Sequence, residues 1–279
     1  MKYRHAYHAG NFADVHKHVT LLALLAALKR KDKGFLYLET HAGRGAYDLS
    51  DATAEARAGI MRFAGASQTV EELQHYARAI ATYREQHQSP RVYPGSPVLA
   101  AMELRPQDRA ILIEKLPPES RALERSLAEL SATVRVECND GYERMRAHLP
   151  PAERRGLLFI DPPYEEQQDF SRVTATLVEA LRRFQTGVFV AWYPIKDERE
   201  TAAWHTALSK AIDAEMVAGE LWLYPRDSRV ALNGSGMLIV NPPYLIADRM
   251  REWLPALQTQ LDAGQEGGTR VHILSGQGV

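Results

Sequence analysis

Apolar and polar positions along this chain fall into blocks, and the period changes from block to block. Over residues 12–30, Val15, Val19, Leu22 and Ala26 recur at three- and four-residue spacing, which predicts a helix. "GFLYLE" (34–39) is a short apolar run and predicts a buried strand. It runs into "THAGRGAYD", a turn built on Gly43 and Gly45. Residues 51–90 differ. They hold two helical patterns, the second with Val70, Leu73, Tyr76, Ile80 and Tyr83 on one face. "YPGSP" (93–97) then places Ser96 as a helix N-cap with Pro97 at the first helical position.

From residue 110 onward strands and helices alternate. Strands are predicted at 110–114, 134–138, 156–161, 187–193, 219–225 and 236–241. Helices are predicted at 118–130, 141–148, 168–184 and 197–214. With the strand at 34–39 this is a seven-stranded α/β sheet, mostly parallel and covered on both faces. Residues 226–235 are too short for a helical crossover and contain Asn233-Gly234, so they predict a hairpin and an antiparallel last strand. The expected organisation is a main domain of residues 1–50 and 93–279 with an inserted helical subdomain at 51–92. The glycine-rich end, "GQEGGTRVHILSGQGV", is expected to be partly frayed.

Composition changes little in this picture. At 45% hydrophobic and 25% charged it is ordinary for a globular protein. The net charge of −1 means that any nucleic-acid contact must rest on local positive charge. A single cysteine, Cys138, excludes an intramolecular disulfide and suits a reducing compartment. The start has no apolar core of a secretory signal, and the run at 21–28 is far short of a membrane span. The expected location is cytoplasmic.

Two apolar runs end in the same way: "GLLFIDPPYEEQ" at 156–167 and "GMLIVNPPYLIA" at 236–247. In an open parallel sheet, ligands sit outside the carboxyl ends of the strands. The first run is a parallel strand, so Asp161-Pro162-Pro163-Tyr164 belongs at that edge. The second is antiparallel, so Asn241-Pro-Pro-Tyr belongs at the opposite edge, roughly 17–20 Å away. There the proline pair is a strand terminator.

A carboxylate followed by Pro-Pro-Tyr suits methyl transfer from S-adenosylmethionine to an exocyclic aromatic amine. Asp161 and the Pro162 carbonyl can accept both amine hydrogens and localise the lone pair, and Tyr164 can stack on a flipped base. Gly43 and Gly45 allow close backbone approach to a cofactor. Glu114 ends the second strand, where a carboxylate can hold ribose hydroxyls. Asp140, after the third strand, can accept from an adenine amine, although Asp140-Gly141 is also an ordinary turn pair. Arg4, Lys17 and Arg44 could form a local basic rim. Five of the ten histidines (His5, His8, His16, His18 and His41) lie early in the chain and raise metal binding as a rival. His16 and His18 are two apart on a helix and face different ways, so no shared metal is expected. A non-catalytic nucleic-acid binder and a methyltransferase acting on cytosine or on DNA also fit these residues in part.

"YRHAYHAGNFADVHKH", "LYLETHAGRGAYDL", "VYPGSP", "RRGLLFIDPPYE" and "WYPI" together resemble the bacterial RlmJ family of 23S ribosomal RNA adenine-N(6) methyltransferases, over nearly the whole chain. The resemblance implies a Rossmann-like S-adenosylmethionine-dependent fold with a small helical insertion. It implies Asp161 as the catalytic residue and Lys17, His18, His41, Ser96, Glu114, Asp140, Gly141 and Asp161 around the cofactor. It implies Tyr3 as a contact to the RNA. The implied partner is 23S rRNA, free of ribosomal proteins or early in assembly, with no membrane and no obligate protein partner.

Overall fold

The structure, a computed structural model, describes residues 8–130, 133–166, 168–225, 232–262, 264 and 266–274. Helix α1 (Phe12–Lys29) is capped by Asn11, whose side chain accepts from the Asp14 amide at 2.9 Å. It is buried on nearly every side, including its polar residues Asp14, His16, Lys17 and His18. Five neighbours account for this: the Arg57–Met61 turn of helix, α2 (Glu71–Gln86), α3 (Ser96–Glu103), strand β9 (Gly234–Val240) and α8 (Ile246–Leu261).

Between these lie β1 (Leu36–Glu39), β2 (Ala46–Asp48), β3 (Val92–Pro94), β4 (Arg109–Glu114), α4 (Pro117–Leu127), β5 (Thr133–Cys138) and α5 (Gly141–Arg144). Then come β6 (Gly156–Ile160), α6 (Asp169–Arg183), β7 (Val188–Ile195), α7 (Glu198–Ala211), β8 (Met216–Trp222) and finally β10 (Gly268–Leu274). The main sheet runs β10-β8-β9-β7-β6-β1-β4-β5. β5, β4, β1, β6 and β7 are mutually parallel. β9 is antiparallel to both β7 and β8, so it is the reversed strand that the short 226–235 link predicts.

Side chains alternate across the sheet. Tyr37, Phe159, Val190 and Ile239 point to the face covered by α1, α3, α4 and α8. Leu36, Leu38, Leu158 and Ile160 point to the face covered by α6 and α7. Among the described residues, no helix is long and apolar enough to cross a membrane.

The sheet has eight strands rather than seven. The eighth, β10, lies in the segment expected to fray, and pairs with β8 from Gly268↔Trp222 to Leu274↔Met216. Its first glycine serves close packing: a Cβ on Gly268 would lie 2.6 Å from the Trp222 ring. Helix α8 also goes beyond the pattern read above. Ile246, Met250, Trp253, Leu254, Leu257 and Leu261 form its buried stripe, at the spacing of an amphipathic helix. Within 51–92, a broken helical stretch (Ala54–Ala56, Arg57–Met61, Arg62–Ala64) precedes α2. Phe63, Leu73, Tyr76, Ile80 and Tyr83 join the same core as α1. The segment is bracketed by the β2–β3 pair, Ala46↔Pro94 to Asp48↔Val92.

Candidate active site

β1 has β4 on one side and β6 on the other, so the order of the parallel strands reverses at β1. A crevice opens at the carboxyl ends of strands at such a point. The chain after β1 is tied to both neighbours: the Thr40 amide donates to the Phe159 carbonyl and the Ala42 amide to the Ile113 carbonyl, each at 3.0 Å. The turn beyond it places Gly43 at φ 64° and Gly45 at φ 86°, a left-handed conformation that glycine adopts at no steric cost. Gly141 closes the base of the crevice, where a Cβ would lie 1.9 Å from the Thr40 carbonyl oxygen.

The three carboxylates expected at strand ends all arrive there. Glu114 ends β4 and accepts from the Gly43 amide (2.8 Å) and the Leu116 amide (2.7 Å). Burial raises its carboxyl above the ordinary value, against the pull of those amides. A carboxylate has about four acceptor sites, so capacity for a diol remains. Asp140 caps α5 by accepting from the Tyr142 and Glu143 amides, and Lys115 sits 3.0 Å from its other oxygen. Burial pushes its carboxyl up, but Lys115 and the amides outweigh this and hold it below the usual range.

Asp161 follows β6. Its Oδ2 accepts from the Lys17 ammonium at 2.5 Å, and that ammonium is 3.2 Å from Asp14 and lies 4.8 Å above the Trp192 ring. Lys17 is therefore a buried partner of the acidic centre and not part of a basic rim. Tyr164 also differs from expectation. It is 8% exposed, its hydroxyl donates to the Trp192 carbonyl at 2.6 Å, and its ring packs on Phe170 and Trp192. These contacts make it a fixed wall beside Asp161, and its backbone takes the left-handed conformation at φ 50°. Pro162 is buried and Pro163 exposed.

His18 lies behind Lys17. Its Nδ1 is 2.9 Å from the Tyr93 hydroxyl, which is 3.0 Å from the Tyr76 hydroxyl. His41 is 2.8 Å from the Thr40 hydroxyl and stands edge-on to the Tyr142 ring, and burial lowers its pKa to about 4. Tyr142 carries the Arg172 guanidinium over its face at 4.6 Å, and its hydroxyl is buried with no hydrogen-bond partner among the described residues. Ser96 does not cap α3. Gly95 occupies the cap position, and the Ser96 hydroxyl donates to Glu39 at 2.5 Å. Glu39 is fully buried, accepts also from the Tyr37 hydroxyl at 2.9 Å, and is pushed by burial up to about 8.

Sequence patterns alone do not mark Glu39, Trp192 or Tyr142 as site residues. The period-2 placement of Tyr37 and Glu39 on one face is the available signal for the first of these. Tyr3, Arg4 and His5 lie outside the described residues. Arg44 reaches Glu119 at 3.1 Å. Asn241 sits at the opposite edge, just beyond the Phe189↔Val240 pair, and donates to the Gln185 and Gly187 carbonyls at 2.7 and 2.8 Å. His16 and His18 do part company: His16 pairs with Ser235 and His18 with Tyr93. The histidines that come near one another are elsewhere. His205, Glu220 and His272 have ligand atoms within 4.8 Å, but Arg270 and Tyr193 already hold Glu220, at 2.7 and 3.0 Å.

The residues present fit S-adenosylmethionine: Glu114 has acceptor capacity for a diol and Asp140 for an amine, beside a glycine turn and the Tyr142 hydroxyl, which is buried without a hydrogen-bond partner among the described residues. With the reversed strand set between the last two parallel ones, fold and site define a Rossmann-like methyltransferase dependent on S-adenosylmethionine. Similarity to known proteins agrees. A sequence profile described as "RsmJ: Ribosomal RNA large subunit methyltransferase D, RlmJ" matches residues 32–274. The chain is 37% identical over 265 residues to ribosomal RNA large subunit methyltransferase J of Haemophilus influenzae, and 38% to that of Escherichia coli, covering 94% of this chain and 94% of each relative. It superposes on the crystal structure of protein LPL1258 from Legionella pneumophila with a TM-score of 0.86 at 37% identity, covering 97% of this chain and 99% of that one. The chain belongs to the RlmJ family.

Proposed function

We propose that this protein transfers a methyl group from S-adenosylmethionine to the exocyclic N6 amine of an adenine in 23S ribosomal RNA. The observation that carries this reading is Asp161 at the carboxyl end of β6, at the switch point of the sheet, with an N–H donor already on its carboxylate. The similarity to proteins named ribosomal RNA large subunit methyltransferase J supports the RNA as substrate.

In this reading the substrate amine donates to Asp161 Oδ1 and to the Pro162 carbonyl. This turns the nitrogen lone pair out of the ring and toward the reacting carbon. The bound cofactor supplies the electrophilic methyl group. Glu114 and Asp140 hold its ribose and adenine, while Gly43, His41, Gly141, Ser96, Lys17 and His18 line the rest. Tyr164, with Trp192, walls the base pocket, and a flipped base rests against that wall. Tyr3 and Arg4 contact RNA. Residues 51–92 act as an inserted helical subdomain on a main domain of 1–50 and 93–279. The protein works in the cytoplasm on RNA free of ribosomal proteins, without an obligate protein partner.

Tritiated S-adenosylmethionine with 23S RNA from a strain lacking the gene, followed by nucleoside separation, tests the reading. Label is expected in N6-methyladenosine; label in cytosine, or none in RNA, overturns the substrate. Asp161→Ala is expected to lower turnover by at least roughly 10²–10³-fold while cofactor binding stays within a few-fold. Unchanged turnover would remove Asp161 from the mechanism.

A further inference from the structure

β9 reaches the active edge with its amino end. Ser235, its second residue, lies opposite Pro194 of β7 and is completely buried. Its hydroxyl oxygen accepts from the Trp192 indole N–H at 2.9 Å, and the Nδ1 of His16 is 2.9 Å from the same oxygen. An indole N–H can only donate, so this bond fixes the indole plane and not just its position. Burial lowers His16 to about 3, so its ring is neutral and adds no charge beside Lys17.

Trp192 touches both groups that flank Asp161. The Lys17 ammonium lies over its ring at 4.8 Å, and Tyr164 meets it edge-on at 5.5 Å and donates to its carbonyl. Lys17 and Tyr164 flank Asp161. His16 precedes Lys17 on α1, so one oxygen on β9 ties down both the helix that carries the lysine and the plate on which the lysine rests.

We propose that Ser235 is a positioning residue for methyl transfer: it locks the Trp192 indole, and through it the Lys17–Asp161 pair and the Tyr164 wall. The proposal rests on Asp161 being the residue that receives the amine. The lock moves no proton and touches no substrate. It acts by geometry, and misplacement of reacting groups by about 1 Å costs on the order of 10²-fold in rate.

The test uses the full-length protein with 23S RNA and four variants: Ser235→Ala, Ser235→Thr, Trp192→Phe, and Ser235→Ala combined with Trp192→Phe. Ser235→Ala is expected to lower kcat by roughly 10- to 100-fold while both KM values stay within about threefold. Its Trp192 indole proton resonance is expected to move upfield, and Ser235→Thr to restore both rate and resonance. The double variant is expected to be slower than Trp192→Phe by much less than Ser235→Ala is slower than the wild type, because the indole bond is common to both changes and only the His16 contact remains to be lost. Additive losses in the double variant, a wild-type kcat for Ser235→Ala, or a loss that only follows the fall in folded protein would overturn the proposal. Asp161→Ala in the same assay separates the two ideas. If it is inactive while Ser235→Ala is fully active, the lock alone fails; if it turns over normally, the site assignment fails and the lock with it.

Discussion

Glu39 shows what burial does to a single side chain here. It ends β1 with no solvent contact, and its two hydrogen bonds come from hydroxyl groups, not from a cation. Burial therefore wins, and the carboxyl moves from an ordinary 4.5 to about 8. The folded chain keeps a proton that the unfolded chain releases between these values. Stability from this group is complete below pH 4.5 and is lost as pH rises toward 8, by at most about 1.4 kcal/mol per pH unit. Glu39→Gln keeps a neutral polar group in place, so it is expected to gain on the wild type steadily from about pH 5 to about pH 8. Urea unfolding of both proteins across that range measures the gap, and a gap independent of pH would show that Glu39 titrates normally.

Strand direction is a property of elements, and it separates the two Pro-Pro-Tyr sequences. Asn241 adopts φ 52°, which asparagine tolerates better than alanine, and it satisfies two carbonyls in the turn just before β7. Asn241→Ala is expected to cost about 1–3 kcal/mol in stability and to leave turnover of the folded enzyme unchanged. Loss of activity with an intact melting curve would mean that the far edge takes part in chemistry. Helix α2 connects to the site through the Tyr76–Tyr93–His18 chain. Tyr93→Phe removes one buried hydrogen bond each from Tyr76 and His18 and is expected to cost about 1–3 kcal/mol of stability and to weaken cofactor binding severalfold. Calorimetric titration with S-adenosylmethionine checks this, and an unchanged affinity would detach α2 from the site.

For the molecule as a whole, a net charge of −1 offers no general attraction for RNA. Three described cations at the active edge each have a local anchor: Arg172 on the Tyr142 ring, Lys115 on Asp140, Arg44 on Glu119. Such anchored charges can meet phosphates without making the protein basic. Arg172→Gln is expected to raise KM for RNA by about tenfold, one phosphate contact's worth, and to reduce the salt slope of binding by about one. An unaltered salt slope would place the RNA elsewhere.

The strand ends near Glu114, Asp140 and Asp161 were legible because Glu114 and Asp161 close short apolar runs and Asp140 follows an alternating strand within two residues, and both patterns need only local period to be recognised. The reversed β9 was legible because a ten-residue link cannot hold a crossover helix. Contacts between distant segments were not. The hydroxyl of Ser96 goes to Glu39, 57 residues away in sequence, and that of Ser235 to Trp192, 43 away. Local capping preference favoured a different partner for Ser96, and nothing near Ser235 names one at all. Glycines at 267–268 read as loose tail and instead admit a strand against Trp222. By itself the sequence determined the alternation of elements from β4 to β9 and the sheet edge at which Glu114, Asp140 and Asp161 lie. Only the tertiary structure decided that Lys17 is buried on Asp161, that the Tyr164 hydroxyl goes to the Trp192 carbonyl, and that Ser235 at the amino end of β9 meets the Trp192 indole. Those contacts depend on register and packing between distant segments, which local periodicity does not encode.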